Sequence, residues 1–358
     1  MKFAMFQTPF MRPTRSPREV FDWAVEQAVT CDRLGFTEYW IGEHATQSWE
    51  SIPNPELIIA ATARETQRIK LAPGAHLLPY HNPASLAIQV SWLSHVTQGR
   101  YILGIGAGAY PADAYLRGFK DLKQNHAMQM EALDIMRRIW KGEEFYHEGA
   151  FWNAGFPHDD PSHPMRDLRP WGGDVEIGVT GLSPNSPSIA LAGREGFLPL
   201  SVYAGDNAVR NHWETYRDAA AAAGRTVQQS DLHLVCDVIV ADTDAEARKL
   251  AIEGGVGEAW TEYLLPVYKM FGLLGAILPG VEPGDVTVDD LVEKVWFCGS
   301  PETVARKMQE RRENTCMWGT TMVYSHDYLG NAKAWDHSLE LMVTEVAPRL
   351  EAMAPADV

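Results

Sequence analysis

The stretch TEYWIGEH, residues 37–44, decides the fold of this chain. Its β-branched and aromatic residues, bounded by Gly35 and Gly42, predict a short buried strand. Glu43 and His44 follow directly after that strand. In a parallel α/β protein the ligand site lies at the carboxyl ends of the strands, so these two side chains are candidates for it. An ordinary polar strand end is the alternative explanation.

Strand and helix patterns alternate on both sides of this stretch. The units repeat at about 30 residues each, which is typical of a parallel sheet. About eight strands suit a closed (β/α)8 TIM barrel, and a doubly wound open sheet is the alternative. We expect one domain over residues 1–358, with strands near 2–10, 37–42, 69–75, 100–105, 175–179, 197–201, 232–240, 295–298 and 320–324.

Two long segments, 142–173 and 254–294, interrupt the alternation. The first is rich in Pro, His and aromatic residues and has no period, which indicates an insertion. The second contains an apolar stretch, 263–278, that must cover another surface. Insertions at the mouth of a barrel often act as lids, so we expect them to line a pocket for a small hydrophobic substrate. Anchoring of the insertions themselves is the alternative role for their aromatic residues.

The charge of the chain argues against nucleic acid as a partner. Lys and Arg total 31 against 47 Asp and Glu, a formal net charge of −16, and no basic stripe offsets this excess. No run approaches the ~18 apolar residues of a membrane helix, so we expect no membrane association. Met1 is followed at once by a strand-like run rather than by a leader pattern, so we expect a cytoplasmic location.

The cysteines and histidines do not have the spacing of a metal site. The four cysteines are scattered and form no C-x-x-C pair, and no H-x3-H or H-E-x-x-H pair exists. We therefore expect free buried thiols and no bound metal. Among the other polar histidines we expect only His76 in a pocket; the set is His76, His81, His126, His158, His163 and His326.

Several other predicted strands end in glycine or hydroxyl residues. Glycine at a strand end lets a flat or bulky ligand approach the backbone closely. The spacing of Gly104, Gly106 and Gly108 is G-x-G-x-G, which is not the dinucleotide fingerprint, and tight packing at the barrel rim is the alternative. The stretch 180–188 combines hydroxyls with a helix start, which favours an anion site; simple capping by Ser183 or Ser186 is the alternative.

These motifs, in this order and spacing, resemble the bacterial-luciferase-like family of flavin-dependent oxidoreductases over nearly the whole chain. Within the family the chain is most similar to the branch with limonene monooxygenases, judging from residues 183–188 and 338–341. The segments that carry the resemblance are GFTEYWIGEH (35–44), IKLAPGAH (69–76), NP (82–83), GRYILGIGAG (99–108), EAL (131–133), IW (139–140), the Ser-rich stretch after Thr180, and GSPETVA (299–305).

The resemblance implies a TIM barrel that carries FMN across its mouth and usually dimerises through helices of its first half. His44 matches the active-site histidine and Glu43 its neighbour in the pocket. The positions that would contact FMN are Gly74 and Ala75 in a bulge of the third strand, often with a non-prolyl cis peptide, His76 and Tyr110 beside the ring, Gly106 and Ala107 beneath it, and Thr180, Gly181, Ser183 and Ser186 around the phosphate.

One departure from the family pattern concerns the phosphate. Bacterial luciferase has a reactive cysteine and a phosphate-binding arginine where this chain has Gly106 and Ala107. The phosphate must then be held by backbone N–H groups, by hydroxyls, or by a basic residue from elsewhere, such as Arg194 or Arg166.

The resemblance also implies a function. The chain would be an FMN-dependent two-component monooxygenase that uses O₂ to oxygenate a small hydrophobic substrate such as a terpenoid, ketone or aldehyde. A separate NAD(P)H-flavin reductase would supply reduced flavin, because no G-x-G-x-x-G with a following acidic residue is present. His44, with an ordinary pKa near ~6.5, would be the acid–base group.

Two alternatives and one ambiguity remain open at the sequence level. A deazaflavin-dependent oxidoreductase uses the same fold for hydride transfer and needs no oxygen. A non-catalytic flavin-binding protein is the other alternative. The sequence does not separate Baeyer–Villiger insertion from hydroxylation.

Overall fold

The computed structural model describes residues 1–158, 160–162 and 166–353. Parallel strands surrounded by helices dominate this part of the chain. The strands found there are β1 Lys2–Gln7, β2 Glu38–Ile41, β3 Lys70–Pro73, β4 His76–Leu77, β5 Ile102–Gly106, β6 Phe145–Glu148, β7 Asn153–Phe156, β8 Glu176–Gly181, β9 Leu198–Val202, β10 His233–Cys236, β11 Val238–Val240, β12 Phe297–Gly299 and β13 Thr320–Tyr324.

Nine of these strands form one parallel sheet, in the order β3-β2-β1-β13-β10-β9-β8-β5-β4. The two edge strands, β3 and β4, are successive pieces of one stretch that is interrupted at Gly74-Ala75, where the peptide bond is cis. A parallel bridge between Leu71 and Tyr101 also joins β3 to the stretch that leads into β5. The sheet therefore closes on itself as an eight-stranded barrel, which excludes the open-sheet alternative and confirms the predicted TIM barrel.

Helices follow most barrel strands and cover the outside. The helix α1 has a capping box, in which Ser16 and Glu19 exchange side-chain-to-backbone bonds, and it ends at Gly35 with φ of 91°. The α-helices among the described residues are α1 Pro17–Leu34, α2 Pro55–Glu65, α3 Pro83–Val96, α4 Pro111–Leu116, α5 Asn125–Lys141, α6 Pro187–Glu195, α7 Asp206–Ala222, α8 Asp244–Glu253, α9 Gly255–Ala259, α10 Leu265–Met270, α11 Leu274–Ile277, α12 Val288–Lys294, α13 Pro301–Asn314, α14 Ala332–Leu341 and α15 Ala347–Met353.

The predicted strand at 232–240 is two strands in two sheets. Its first part, β10, belongs to the barrel, whereas β11 pairs with β12 in a separate two-stranded parallel sheet. Asp237 lies between them, and its buried carboxylate contacts His326 and Trp260 rather than solvent. The predicted strand at 295–298 is therefore outside the barrel, which explains why nine predicted strands give eight barrel positions.

Both predicted insertions contain regular structure. Within 142–173 the strands β6 and β7 form an antiparallel hairpin with Phe145 opposite Phe156, so the aperiodic reading of this segment was wrong. Segment 254–294 is mainly helical, with a π-helical turn at Trp260–Leu264 between α9 and α10. The two hairpin strands are too short for an alternation of apolar and polar residues to stand out in the sequence.

Trp40 fills the interior of the barrel. A Cβ atom placed on Gly104 would lie 2.7 Å from Cζ3 of Trp40, and one on Gly178 would lie 2.4 Å from its Cη2. Gly104 and Gly178 thus leave the space that the indole of Trp40 occupies. Gly104 is therefore needed for packing of the barrel interior and not for contact with a ligand. Among the described helices, none combines the length and apolarity needed to cross a membrane.

Candidate active site

Glu43, two residues after the end of β2, is a buried carboxylate that binds two histidines at the barrel mouth. Nδ1 of His76 lies 3.1 Å from Oε2 of Glu43, and Nε2 of His81 lies 2.8 Å from its Oε1. Burial raises the pKa of the Glu43 carboxyl, but the hydrogen bonds from His76 and His81 outweigh this and lower that pKa to about 2. Glu43 is therefore an anion at every physiological pH.

The ligand atoms of Glu43, His76 and His81 lie within 4.8 Å of one another, a grouping that could hold a metal ion. This grouping was not predicted, because Glu43 lies 33 positions before His76 and the spacing of His76 and His81 matches neither H-x3-H nor H-E-x-x-H. Nη2 of Arg117 lies 3.9 Å from Oε1 of Glu43. That positive charge opposes a cation at the same carboxylate.

His44 lies between two carboxylates. Its Nε2 is 3.1 Å from Oε2 of Glu50, and its Nδ1 is 3.4 Å from Oδ2 of Asp113. Burial lowers the pKa of His44, but the charge of Glu50 and the hydrogen bonds that His44 donates to both carboxylates raise it to about 10. The expectation of an ordinary histidine pKa was therefore wrong, because His44 holds its proton throughout the neutral range.

Glu50 connects His44 to the second insertion. The hydroxyl of Tyr263, in the π-helical turn, donates to Oε1 of Glu50 at 2.5 Å, and the hydroxyl of Tyr110 donates to the same atom at 3.0 Å. The two hydroxyls are also 3.2 Å apart. The predicted lid segment thus contacts the predicted catalytic histidine through one carboxylate.

Asp113 was also missed by the sequence analysis. It lies in the first turn of α4, and its Oδ1 accepts from the backbone N–H groups of Ala45 and Thr46 and from the Thr46 hydroxyl. These bonds hold the loop that carries His44. The only sequence signal for Asp113 was its position three residues after Tyr110.

The predicted flavin positions of the first half lie side by side. A Cβ atom on Gly106 would come 3.3 Å from Cδ2 of Leu77 and 3.4 Å from Cβ of Ala75. Gly106 thus packs against the residues that flank the break in the third strand. The carbonyl of Ala107 accepts from Nδ2 of the buried Asn125 at 2.8 Å, which fixes the chain after β5.

The predicted phosphate turn joins β8 to α6. The hydroxyl of Ser186 accepts from the N–H of Ile189 and so caps α6, as the capping alternative expected. A Cβ atom on Gly181 would meet the side chain of Ile189 at 2.4 Å, so this glycine serves packing. Thr180 is half-buried, whereas the side chain of Ser183 is exposed.

A neighbouring helix holds the phosphate turn in place. The carbonyl of Ser183 accepts from Nε2 of His212, whose Nδ1 lies 2.8 Å from the Ser201 hydroxyl.

Neither arginine proposed for the phosphate lies at this turn. Arg194 is in the last turn of α6, at the end of the helix opposite Ser186. The guanidinium of Arg166 lies over the ring of Trp92, 4.3 Å from its centroid. Arg194 therefore lies at the wrong end of α6 for the turn, and the Arg166 guanidinium is engaged with Trp92.

The remaining histidines divide by exposure. His126 and His158 are exposed, and His163 lies outside the described residues. His76 is buried beside Glu43, and His326, which the sequence did not favour, is buried beside Asp237. His81 is half-buried and was likewise not expected at the site.

Comparison with known proteins adds an independent line of evidence. The model of a family described as luciferase-like monooxygenase matches residues 1–316. The 3,6-diketocamphane 1,6-monooxygenase of Pseudomonas putida is 44% identical over 98% of this chain and 98% of that protein. The limonene 1,2-monooxygenase of Rhodococcus erythropolis is 28% identical over 97% of this chain and 86% of that protein.

A solved structure gives the same picture. It is described as a type II Baeyer–Villiger monooxygenase, the oxygenating constituent of 3,6-diketocamphane monooxygenase from Pseudomonas putida, in complex with FMN. It superposes with a TM-score of 0.94 and 45% identity, covering 98% of each chain.

Proposed function

Because this chain belongs to the luciferase-like monooxygenase family, we propose that it is the FMN-dependent oxygenase component of a two-component Baeyer–Villiger monooxygenase. The observation that carries this proposal is the 45% identity, over 98% of both chains, to an FMN-bound type II Baeyer–Villiger monooxygenase. This similarity favours FMN over a deazaflavin as the cofactor. It also favours an enzyme over a protein that only binds flavin. It also favours ring insertion over hydroxylation.

The residues at the mouth fit a flavin. Gly74 and Ala75 lie between β3 and β4, Gly106 is the last residue of β5, and Ala75 and Gly106 are in contact, so small residues meet at the mouth. Buried polar atoms without a hydrogen-bond partner among the described residues also lie at neighbouring strand ends: Gln7 Nε2 and Oε1, Thr8 Oγ1, His76 Nε2, Ser325 Oγ and His326 Nδ1. A ligand with several carbonyl and N–H groups would satisfy such atoms, and the flavin ring has both.

Reduced FMN, when bound, supplies the reaction of O₂ that the side chains alone lack. The protein residues orient the ring and the substrate and exclude water. We assign the ring to Gly74, Ala75, His76, Gly106, Ala107 and Tyr110, and the phosphate to the turn containing Thr180, Gly181, Ser183 and Ser186.

His44 acts in this proposal as a fixed cation rather than as a general base. Both of its ring nitrogens face carboxylates, so it has no free lone pair with which to take a proton. Its two N–H groups are both directed at Glu50 and Asp113, so its charge holds these carboxylates together and, through them, orders the loop and the insertion around the mouth. Glu43 holds His76 and His81 in position beside it.

The substrate class follows from the relatives and from the lid. The relatives are named for diketocamphanes, which are bicyclic terpenoid ketones. In this chain a small cavity of about 10 Å³, room for about one water molecule, lies between the barrel and the second insertion and is lined by Tyr203, Cys236, Asp237, Trp260, Tyr268, Ile277, Val295, Trp296 and Tyr324. This cavity is too small for a bicyclic ketone. The side chains that the insertion presents to the barrel there are nevertheless mainly aromatic and aliphatic, which favours a small hydrophobic ketone over a charged substrate.

Three further properties complete the proposal. A separate NAD(P)H-flavin reductase supplies reduced FMN. Two copies pair through α2 and α3, which expose Leu57, Ile88, Trp92 and Val96. The enzyme works in the cytoplasm, a location consistent with four free buried cysteines.

An anaerobic titration followed by aeration tests the function. Reduced FMN and a reduced deazaflavin are titrated separately into the purified protein, and 3,6-diketocamphane and O₂ labelled with ¹⁸O are then added. We expect preferential FMN binding and a lactone that carries one ¹⁸O atom, detected by mass spectrometry. A hydroxylated ketone, or product only with the deazaflavin, would contradict the proposal.

A further inference from the structure

His326 and Asp237 form a buried pair at the barrel mouth to which no role in the reaction has yet been assigned. Nε2 of His326 lies 2.6 Å from Oδ1 of Asp237, and both side chains are almost fully buried. Asp237 occupies the break between β10 and β11, and His326 follows shortly after β13, the neighbouring barrel strand. Two adjacent strand ends therefore bring an imidazole and a carboxylate together at the ligand-binding end of the barrel.

The pair is held in one orientation from several sides. The second oxygen of Asp237 accepts from Nε1 of Trp260 at 2.9 Å, which links the pair to the insertion. The ring of Phe10 stacks on His326 with centroids 5.2 Å apart and an angle of 25°. Phe10 also contacts Tyr263 and Tyr324. The imidazole therefore has little freedom to rotate.

The other ring nitrogen of His326 is left without a partner. Nδ1 is buried, and no hydrogen-bonding group among the described residues lies within reach of it. A buried polar atom without a partner costs free energy, so a native structure normally supplies one. The hydroxyl of the adjacent Ser325 is unpaired as well. The missing partner is thus expected from a bound molecule.

We propose that His326, positioned by Asp237, donates a hydrogen bond from Nδ1 to a carbonyl oxygen of a ligand bound in the barrel mouth. This inference rests on the proposed function, because the ketone substrate and the flavin ring are the two sources of such an oxygen. His326 then contacts the ligand directly, and Asp237 acts through His326 as a positioning residue.

The charge of the pair explains why a carbonyl fits. The carboxylate of Asp237 faces Nε2 and favours a proton there. With a hydrogen on each ring nitrogen the imidazole and the carboxylate together carry no net charge, which is the arrangement that burial away from water favours. A ketone oxygen accepts hydrogen bonds and donates none, so it matches Nδ1–H. Donation to the carbonyl polarises it toward nucleophilic attack.

Two substitutions that each retain one nitrogen test the proposal. The amide nitrogen of His326→Asn can take the place of Nδ1, whereas that of His326→Gln can take the place of Nε2. Ketone binding is measured with 3,6-diketocamphane, labelled with ¹³C at its carbonyl carbons, on the enzyme loaded with oxidised FMN, where no turnover occurs. The infrared carbonyl band of the bound ketone reports the hydrogen bond, and fluorescence quenching reports FMN affinity for the same variants.

We expect His326→Gln to lose the shift of one carbonyl band to lower frequency and to bind the ketone roughly tenfold more weakly. His326→Asn should retain much of both. If FMN affinity falls instead and the ketone band keeps its shift, the carbonyl belongs to the flavin. If His326 only supports the fold through Nε2, the order of the two variants reverses: His326→Gln is tolerated and His326→Asn is destabilised.

Unchanged ketone and FMN binding in both variants would overturn the inference. Oxygenation by the wild-type protein is measured in parallel. An active wild-type enzyme with insensitive His326 variants contradicts only this inference. A wild-type protein that binds FMN and ketone but makes no lactone contradicts the proposed function.

Discussion

Nε2 of His44 lies 3.1 Å from Oε2 of Glu50, and this contact sets the charge of the site. Asp113 faces the other ring nitrogen at 3.4 Å, so one imidazole is flanked by two carboxylates. Removal of a proton from His44 would leave two uncompensated buried anions. The site therefore keeps a positive charge at the position where the sequence suggested an ordinary acid–base histidine.

The first prediction concerns the pKa of His44. With Glu50 replaced by Gln, one of the two negative charges is lost, so the pKa of His44 should fall from about 10 by about 1 to 3 pH units. NMR titration of ¹⁵N-labelled histidine rings measures this directly. The exposed Glu65→Gln variant removes the same charge from the surface and should leave the titration unchanged.

The same group links stability to alkaline pH. Because the folded-state pKa of His44 is raised from 6.5 to about 10, its stabilising contribution is complete below pH 6.5 and is lost as the pH rises toward 10. The free energy of unfolding of the wild type should fall more steeply over this range than that of Glu50→Gln. If the free energies of unfolding of the two proteins instead change with pH in parallel, Glu50 does not stabilise the protonated form of His44.

The second prediction concerns Glu43 at acidic pH. Replacement by Gln keeps the shape but removes the charge that His76 and His81 contact, which should cost about 3 kcal/mol at neutral pH. The folded-state pKa of Glu43 is lowered from 4.5 to about 2, so the advantage of the wild type is complete above pH 4.5 and shrinks as the pH falls toward 2.

Urea denaturation of both proteins between pH 7 and pH 3 measures this difference. A difference in stability that stays constant down to pH 3 would contradict the assignment of the charge to Glu43. The exposed Glu65→Gln variant again serves as the control, because a surface carboxylate contributes little.

The sequence could predict positions that depend on local pattern. Glu43 and His44 follow a strand, and strand ends meet at one rim, so their place at the mouth needed no knowledge of tertiary contacts. Their partners were not predictable in the same way. Glu50 lies in a loop without periodicity, and Asp113 contacts a loop 67 and 68 positions earlier in the chain.

The glycines show a second limit of sequence reasoning. Gly104 and Gly106 belong to one G-x-G-x-G run, yet the first makes room for Trp40 and the second lies beside Ala75 at the rim. Only the neighbouring elements decide which of them serves packing. The break of the strand at Asp237 could not be predicted for the same reason. The hydrogen-bond partners of Asp237, which are His326 and Trp260, lie 89 and 23 positions away in the sequence.

The third prediction uses this difference between two glycines. A methyl group on Gly104 would lie 2.0 Å from the carbonyl oxygen of Pro73, so Gly104→Ala should destabilise the fold by about 3 kcal/mol. In Gly106→Ala the nearest atom is a flexible leucine methyl at 3.3 Å. That variant should fold with a nearly unchanged melting temperature and bind FMN more weakly. Thermal denaturation with and without FMN separates the two effects, and equal FMN affinity in Gly106→Ala would remove Gly106 from the cofactor site.

The fourth prediction concerns the proposed dimer. Ile88, Trp92 and Val96 are spaced by four residues and therefore share one face of α3, where Trp92 is 53% exposed. Solvent-exposed apolar side chains in a row mark an interaction surface, and a second copy of the chain offers the same row in return. Replacing Trp92 by Glu removes the largest apolar side chain of the row and buries a carboxylate in the interface, where the cost of desolvation outweighs the contact that Arg166 offers, so Trp92→Glu should give monomers at micromolar concentration. Tyr146→Glu is the matched control, since Tyr146 is also exposed but lies on the hairpin β6–β7. Sedimentation velocity should show a dimer for the wild type and for Tyr146→Glu; a dimer of Trp92→Glu would place the interface elsewhere.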